Sequence, residues 1–354
     1  MPELKTSGRK KYVLPLGILY VLLSCIYLFT ALNYQSPNYS ELFQIVCSLG
    51  ITVLFFSLLV SLGDTASTAI FAVLVPIIAS WIISFTLHGT GDMLITNLLA
   101  LSGIICSTLT AVIIYYSGYR KGSVANACST ASFMMLVFSV LEVFILLLIK
   151  AMVDSKSIHT VLFDSISYYI SEYSRVYLEL LASSPIYSSS AIDTATLSAT
   201  LEDSLTLIIA LLPAILCAAY FFVVFVITRI CGRFTKAIGL TEVYPFEKFM
   251  VSGLINAVFT VAGIIVLFSL LFESAISSFT CGIISVIITL LPNYLILGIR
   301  RIMGKLRRIF SVLFTAVILI VIFLAGMAIS PFLLIVVITY FGISEYRHTK
   351  FDRH

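Results

Sequence analysis

From residue 311 the chain reads SVLFTAVILIVIFLAGMAIS, twenty residues without a charge. A helix of that length rises ~30 Å, the thickness of the hydrocarbon core of a bilayer. Similar apolar runs occupy about 12–32, 42–62, 67–87, 93–117, 127–149, 205–228, 249–272, 279–299 and 332–346, each closed by charged residues, Gly or Pro. Composition agrees: 60% of the 354 residues are hydrophobic and only 11% charged, against about 25% charged in soluble domains. These features predict an all-α polytopic integral membrane helix bundle of about ten spans.

The N-terminal MPELKTSGRKKYVLPLGILYVLLSCIYLFTALNY has a basic start and an apolar run. That run exceeds the ~7–15 residues of a signal-peptide core and no A-x-A-like site closes it, so it reads as an uncleaved first span. The final run, 332–346, is short for a full crossing, and Pro331 precedes it. Charge decides how to count it. With the N-terminus in the cytoplasm, 18 of 21 Lys and Arg fall inside, on 1–11, 118–126, 229–248, 300–310 and the C-terminal tail. Such a bias orients membrane proteins with their basic loops in the cytoplasm. An even number of crossings is needed to keep RHTKFDRH there, so 311–346 must turn back near Pro331, as two thin spans or a re-entrant hairpin. The acids add weak agreement, leaving the inner face net positive and the outer face net negative.

Three units follow: five spans in 1–149, an external segment at 150–204, and the remaining spans with a cytoplasmic tail in 205–354. Within the external segment, Ile158, Leu162, Tyr169, Tyr173, Val176, Tyr177 and Leu180 recur at helical spacing. An amphipathic helix is expected, lying on the outer leaflet by its tyrosines or capping a cavity as a lid. The following SSPIYSSSAIDTATLSATLEDS is a polar connector whose TLSATLED can start a helix running into the sixth span. No sequence repeat relates the two halves.

Glu142, in SVLEVFILLLIK, is the acid inside the fifth span. A carboxylate there is costly, and without a cationic partner it is expected to be protonated or touched by water. Lys150 lies two turns further out and is poorly placed to pair with it. Ser139 on the same helix face and Asn97 at similar depth in the fourth span are its expected partners. Asn256 and Asn293 suggest a second polar level near the inner side. Two readings stand side by side: interhelical hydrogen bonding, or a site for a proton, cation or substrate amine. Pro76, Pro213 and Pro292 fall inside spans, where each is expected to kink or locally open its helix.

Other chemistries are disfavoured. Residues 89–92 read GTGD, superficially like an intramembrane aspartyl protease motif. That reaction needs two close aspartates, whereas Asp92 and the nearest candidate, Asp64, lie at opposite ends of the third span. The cysteines at 25, 47, 106, 128, 217, 231 and 281 show no metal spacing and read as small packing residues. The histidines at 88, 159, 348 and 354 form no paired ligand set, and no phosphate loop occurs. No enzyme activity, cofactor, metal or nucleic-acid partner is expected.

The C-terminal SPFLLIVVITYFGISEYRHTKFDR, with LLPAILCAAYFF and a basic linker before TEVYPFEKF, resembles the YybS-like family of predicted bacterial membrane proteins. Gly342 and Glu345 stand where that family tends to show a glycine and an acid. The resemblance covers about the last 150 residues and implies a bacterial cytoplasmic membrane. By analogy with the binding components of vitamin transporters, it favours small-molecule binding. The leading expectation is therefore small-molecule or ion binding or transport by a protein in contact with the lipid bilayer. The alternative is a non-transporting scaffold or regulatory protein, docking a cytoplasmic partner through the basic loop 300–310.

Overall fold

A computed structural model of the chain describes residues 14–19, 22, 53–55, 57–58, 78, 106, 109–114, 123–182, 194–237, 249–272 and 278–351. Seven helices are complete enough to number: α1 Val124–Val153, α2 Ile158–Ala182, α3 Thr194–Ala237, α4 Gly253–Phe272, α5 Ser278–Arg307, α6 Val312–Ile329 and α7 Pro331–Phe351. Shorter helical stretches at 14–19, 53–55 and 109–114 fall within the first, second and fourth expected spans. Most of the first four spans, with Asn97, Pro76, Asp64, Asp92 and the basic tail 1–11, lies outside the described residues.

The regular structure among the described residues is entirely α-helical. Long apolar runs remove the alternative of backbone bonding to water, so each segment satisfies its N–H and C=O groups internally. Three helices, across Val124–Val153, Ala199–Phe234 and Phe279–Arg307, are long and apolar enough to cross a membrane. Helices α4 and α6 contribute the shorter apolar stretches Gly253–Ser269 and Val317–Ile329. Large apolar side chains stand exposed along the helices, among them Val140 and Phe144 of α1, Val261 and Phe268 of α4, and Ile320 and Phe323 of α6. Water-facing surfaces do not carry apolar area on this scale.

Helix limits depart from hydropathy where a helix outruns its apolar core. The 44 residues of α3 span ~66 Å, well beyond a bilayer. Its first turns convert Thr194–Ser204, part of the connector expected in 150–204, into helix, as TLSATLED suggested. Likewise α5 runs on to Arg307, so most of the expected basic loop 300–310 is helical and only 308–311 turns. Polar side chains at these ends do not stop a helix, because they reach water while the backbone bonds continue.

The turn at Pro331 is tight. Ser330 ends α6, with its N–H bonded to the Gly326 carbonyl at 2.9 Å, and its hydroxyl accepts the Leu333 N–H of α7 at 3.3 Å. A serine cap followed by proline at the first helical position suits a helix start, where the missing N–H costs nothing. The helices on either side, 18 and 21 residues, rise ~27 Å and ~31 Å. The last helix is therefore longer than its 15-residue apolar run suggested.

Contacts between α5 and α7 give their relative direction. Their middles cross at Tyr294–Gly298 and Ile338–Gly342. Arg301 then faces Glu345 at 3.5 Å, and the Lys305 ammonium stands 5.2 Å from the Phe341 ring centre. The two helices thus run the same way, and α6 carries the chain back between them. Other ends gather at the same place. The Ser123 hydroxyl, at the start of α1, donates to the Met250 carbonyl just before α4. Arg300 Nη1 donates to the Phe249 carbonyl at 3.2 Å, and the Phe249 ring stacks edge-on with Phe225 of α3 at 5.7 Å. At the centre, α5 packs against α3, α4, α6 and α7, while α1 packs on α3. Met135, Tyr220, Phe221, Val224, Phe249, Tyr294 and Leu297 form the buried core.

Candidate functional site

The acid anticipated from sequence, Glu142, is half-buried on α1. It lies eleven residues before Val153, the end of the helix, a distance of ~16 Å. The distance exceeds the ~10 Å counted from the apolar run alone, because α1 outlasts that run. Glu142 lies within electrostatic reach of Cys106 and of the Tyr220 hydroxyl on α3.

Ser139, anticipated as a partner of Glu142, pairs its buried hydroxyl with Tyr220 Oη at 2.6 Å. The phenol of Tyr220, buried in an apolar core, has an O–H that must find a partner, and a serine on the facing helix supplies it. The seam between α1 and α3 therefore joins a phenol and a hydroxyl, with the Glu142 carboxyl and the Cys106 thiol within electrostatic reach. Lower on the same interface, Cys128 lies beside the Thr228 hydroxyl, and both are buried.

Asn256 and Asn293 each take part in a hydrogen bond to a different helix. Fully buried Asn293 donates from Nδ2 to Ser129 Oγ on α1 at 3.2 Å, and to the Leu290 carbonyl at 3.3 Å. Asn256 on α4 accepts from Tyr294 Oη at 2.9 Å. Asn293 and Tyr294 are consecutive, so their side chains leave α5 about 100° apart and tie it to different helices. Both follow Pro292, which removes one backbone N–H from the helix ladder. Here the polar groups join helices α1, α4 and α5, as interhelical hydrogen bonds do in membrane bundles.

Tyr220, Ser129 and Tyr294 were missed from sequence. The available signal was a tyrosine within an apolar run: a phenol needs a hydrogen-bond partner when buried, as an amide does, but carries no charge to draw attention.

Outside the apolar spans, α2 carries exposed ion pairs. Arg175 donates from Nε to Glu172 at 3.1 Å and from Nη1 to Glu179 at 2.8 Å, while Lys156 reaches Asp164 at 3.0 Å. The Arg175 guanidinium holds the Glu172 carboxyl below its ordinary range, and Asp164 holds the Lys156 ammonium above its own.

These features define an all-helical protein with membrane-length apolar helices. No protein-family model, curated protein or solved structure matches the chain.

Proposed function

We propose that this is a ten-span protein of the bacterial cytoplasmic membrane, related to the YybS-like proteins, that binds or transports a small molecule or cation. It acts without enzymatic chemistry, and both termini face the cytoplasm. The carrying observation is Glu142: a half-buried carboxyl on an apolar helix, within electrostatic reach of the Tyr220 phenol and Cys106. Ionisable groups at membrane depth are costly and mark ion or substrate paths. The only charged residue of α1 between its first residue and Lys150 is this acid, so a proton, a metal cation or an organic amine is the complementary ligand class.

The test is thermal stabilisation of the purified protein by a panel of metal cations, organic amines and neutral metabolites. Cations or amines should raise the Tm of the native protein. Glu142→Gln should keep the basal Tm within a degree or two and abolish that rise, since the amide preserves shape and polarity. Stabilisation that survives in Glu142→Gln would remove the acid from the site.

Orientation is tested separately with reporters fused at the C-terminus and within 186–190. Cytoplasm-active signal from the first and periplasm-active signal from the second are expected. The reverse at the C-terminus would defeat the even number of crossings. A second reading, a scaffold that docks an acidic cytoplasmic partner, draws on the exposed Lys305, Arg307 and Arg308 at the end of α5.

A further inference from the structure

The sequence left two roles open for the tyrosine-bearing helix α2, and the structure separates its faces. Its contacts with the bundle, made to α1 and α3, bury Val161 and Ser174. The apolar stripe is not the packed face. Leu162, Tyr169, Tyr173, Val176 and Tyr177 all stand exposed, between 40% and 60% of their full surface. The helix rests on the protein by other positions and presents its stripe outward.

We propose that this stripe seats α2 in the lipid at the membrane–water interface, at the end of the bundle where α1 finishes. Three observations place it there. Only residues 154–157 separate α1 from α2, so α2 must begin within ~18 Å of the end of α1. The corner is fixed: Ser155 adopts a left-handed φ of 52°, the Lys156 N–H bonds back to the Ala151 carbonyl at 3.0 Å, and Ser157 Oγ accepts the Thr160 N–H at 3.1 Å. Exposed apolar side chains flank that corner on both sides, Met152 and Val153 at 73% and 77% before it and Phe163 after it.

Chemistry then selects the occupant. The charges over 156–182 are largely paired, Arg175 with Glu172 and Glu179 and Lys156 with Asp164, leaving two cations against three carboxylates. A polar protein partner would have little unmatched charge to read. What remains unmatched is a row of tyrosines, with Tyr168, Tyr169 and Tyr173 in ring contact. A phenol with an apolar body and a wet tip is the side chain enriched at headgroup depth. Both neighbours of α2, α1 and α3, are membrane-length helices, which holds the stripe at that level.

The experiment uses the full chain in phosphatidylcholine nanodiscs, with the single tryptophan, Trp81, replaced by Phe. One tryptophan is then placed on the stripe, Tyr173→Trp, and one on the opposite side of the helix, Ser171→Trp. Lipid brominated near the headgroup end of its acyl chains should quench most of the Tyr173→Trp emission, and aqueous iodide little of it. Ser171→Trp should show the reverse. Iodide quenching of Tyr173→Trp equal to that of Ser171→Trp would overturn the proposal by placing the stripe in water. Shielding of Tyr173→Trp from both quenchers would also overturn it, by placing protein over the stripe: a second copy or the bundle's own cavity mouth. The leaflet concerned rests on the orientation proposed above. Bromolipid on either face reports lipid contact, so that orientation fails separately, in the reporter fusions.

Discussion

Gly342→Ala should strip the protein of its folded α5–α7 pair and sharply lower the yield of monodisperse material. The reason is geometric. A Cβ at 342 would stand 2.1 Å from the Tyr294 carbonyl oxygen and 2.8 Å from its carbon. Both are backbone atoms of a packed helix, so no rotamer change relieves the clash. Gly298 meets the mirror situation, 2.0 Å from the Ile338 carbonyl oxygen. The helices would have to separate by about an ångström or more to restore normal contact. Separation would also strain the Tyr294 hydrogen bond to Asn256. Overpacking of this kind costs ~1–3 kcal/mol and more when backbone is struck. In a bilayer, where close packing rather than water exclusion holds helices together, that loss is hard to offset. Gly263→Ala and Gly282→Ala are the controls, since nothing lies within 4 Å of either added carbon. They should match the native Tm or exceed it slightly. If Gly342→Ala and Gly298→Ala behave like these controls, the close crossing of α5 and α7 is wrong.

This crossing also shows where sequence reading stopped. Gly342 and Glu345 drew notice only through a family resemblance, which gave neither a role. A glycine in an apolar run carries no local sign of whether another backbone passes against it. That depends on how two helices are rotated about their axes, and rotation is set by the whole interface. The same limit explains Asn256 and Asn293, whose depths were legible but whose partners, Tyr294 and Ser129, were not. Hydropathy worked best where one physical demand dominates. The apolar runs at 127–149, 249–272 and 311–330 became α1, α4 and α6 with modest shifts of their ends. It worked least well at Arg300–Arg307, where polar composition suggests a loop but nothing prevents the helix from continuing. The amphipathic period of α2 was legible as a helix. Which side of it met the bundle was not, because its apolar stripe faces outward.

Reversing one charge at the gathered end of the bundle should do comparable damage, and reversing its partner should undo part of it. Arg301 and Glu345 form an ion pair 3.5 Å apart, with only 16% and 19% of their side-chain surfaces exposed. Exposed pairs contribute ~0–1 kcal/mol, whereas breaking a fully buried one costs ~3–5 kcal/mol because a desolvated charge is left behind. This pair lies between those limits, so Glu345→Ala is expected to cost about 1–3 kcal/mol. Glu345→Arg should cost more, since it sets two guanidinium groups together beside Lys305, which already covers the Phe341 ring. The double exchange, Arg301→Glu with Glu345→Arg, should recover a measurable share of the lost Tm. Recovery will be incomplete: the guanidinium and carboxylate differ in length, and Arg300 one residue away keeps its bond to the Phe249 carbonyl. The position matters beyond stability. Arg301 and Glu345 join the C-terminal parts of α5 and α7, the two parallel helices whose direction makes α6 a return crossing. A double exchange no better than the worse single variant would show that these side chains do not meet. The shared direction of α5 and α7 would then lose its support, since the Gly298–Ile338 and Gly342–Tyr294 contacts alone fix only where the helices cross.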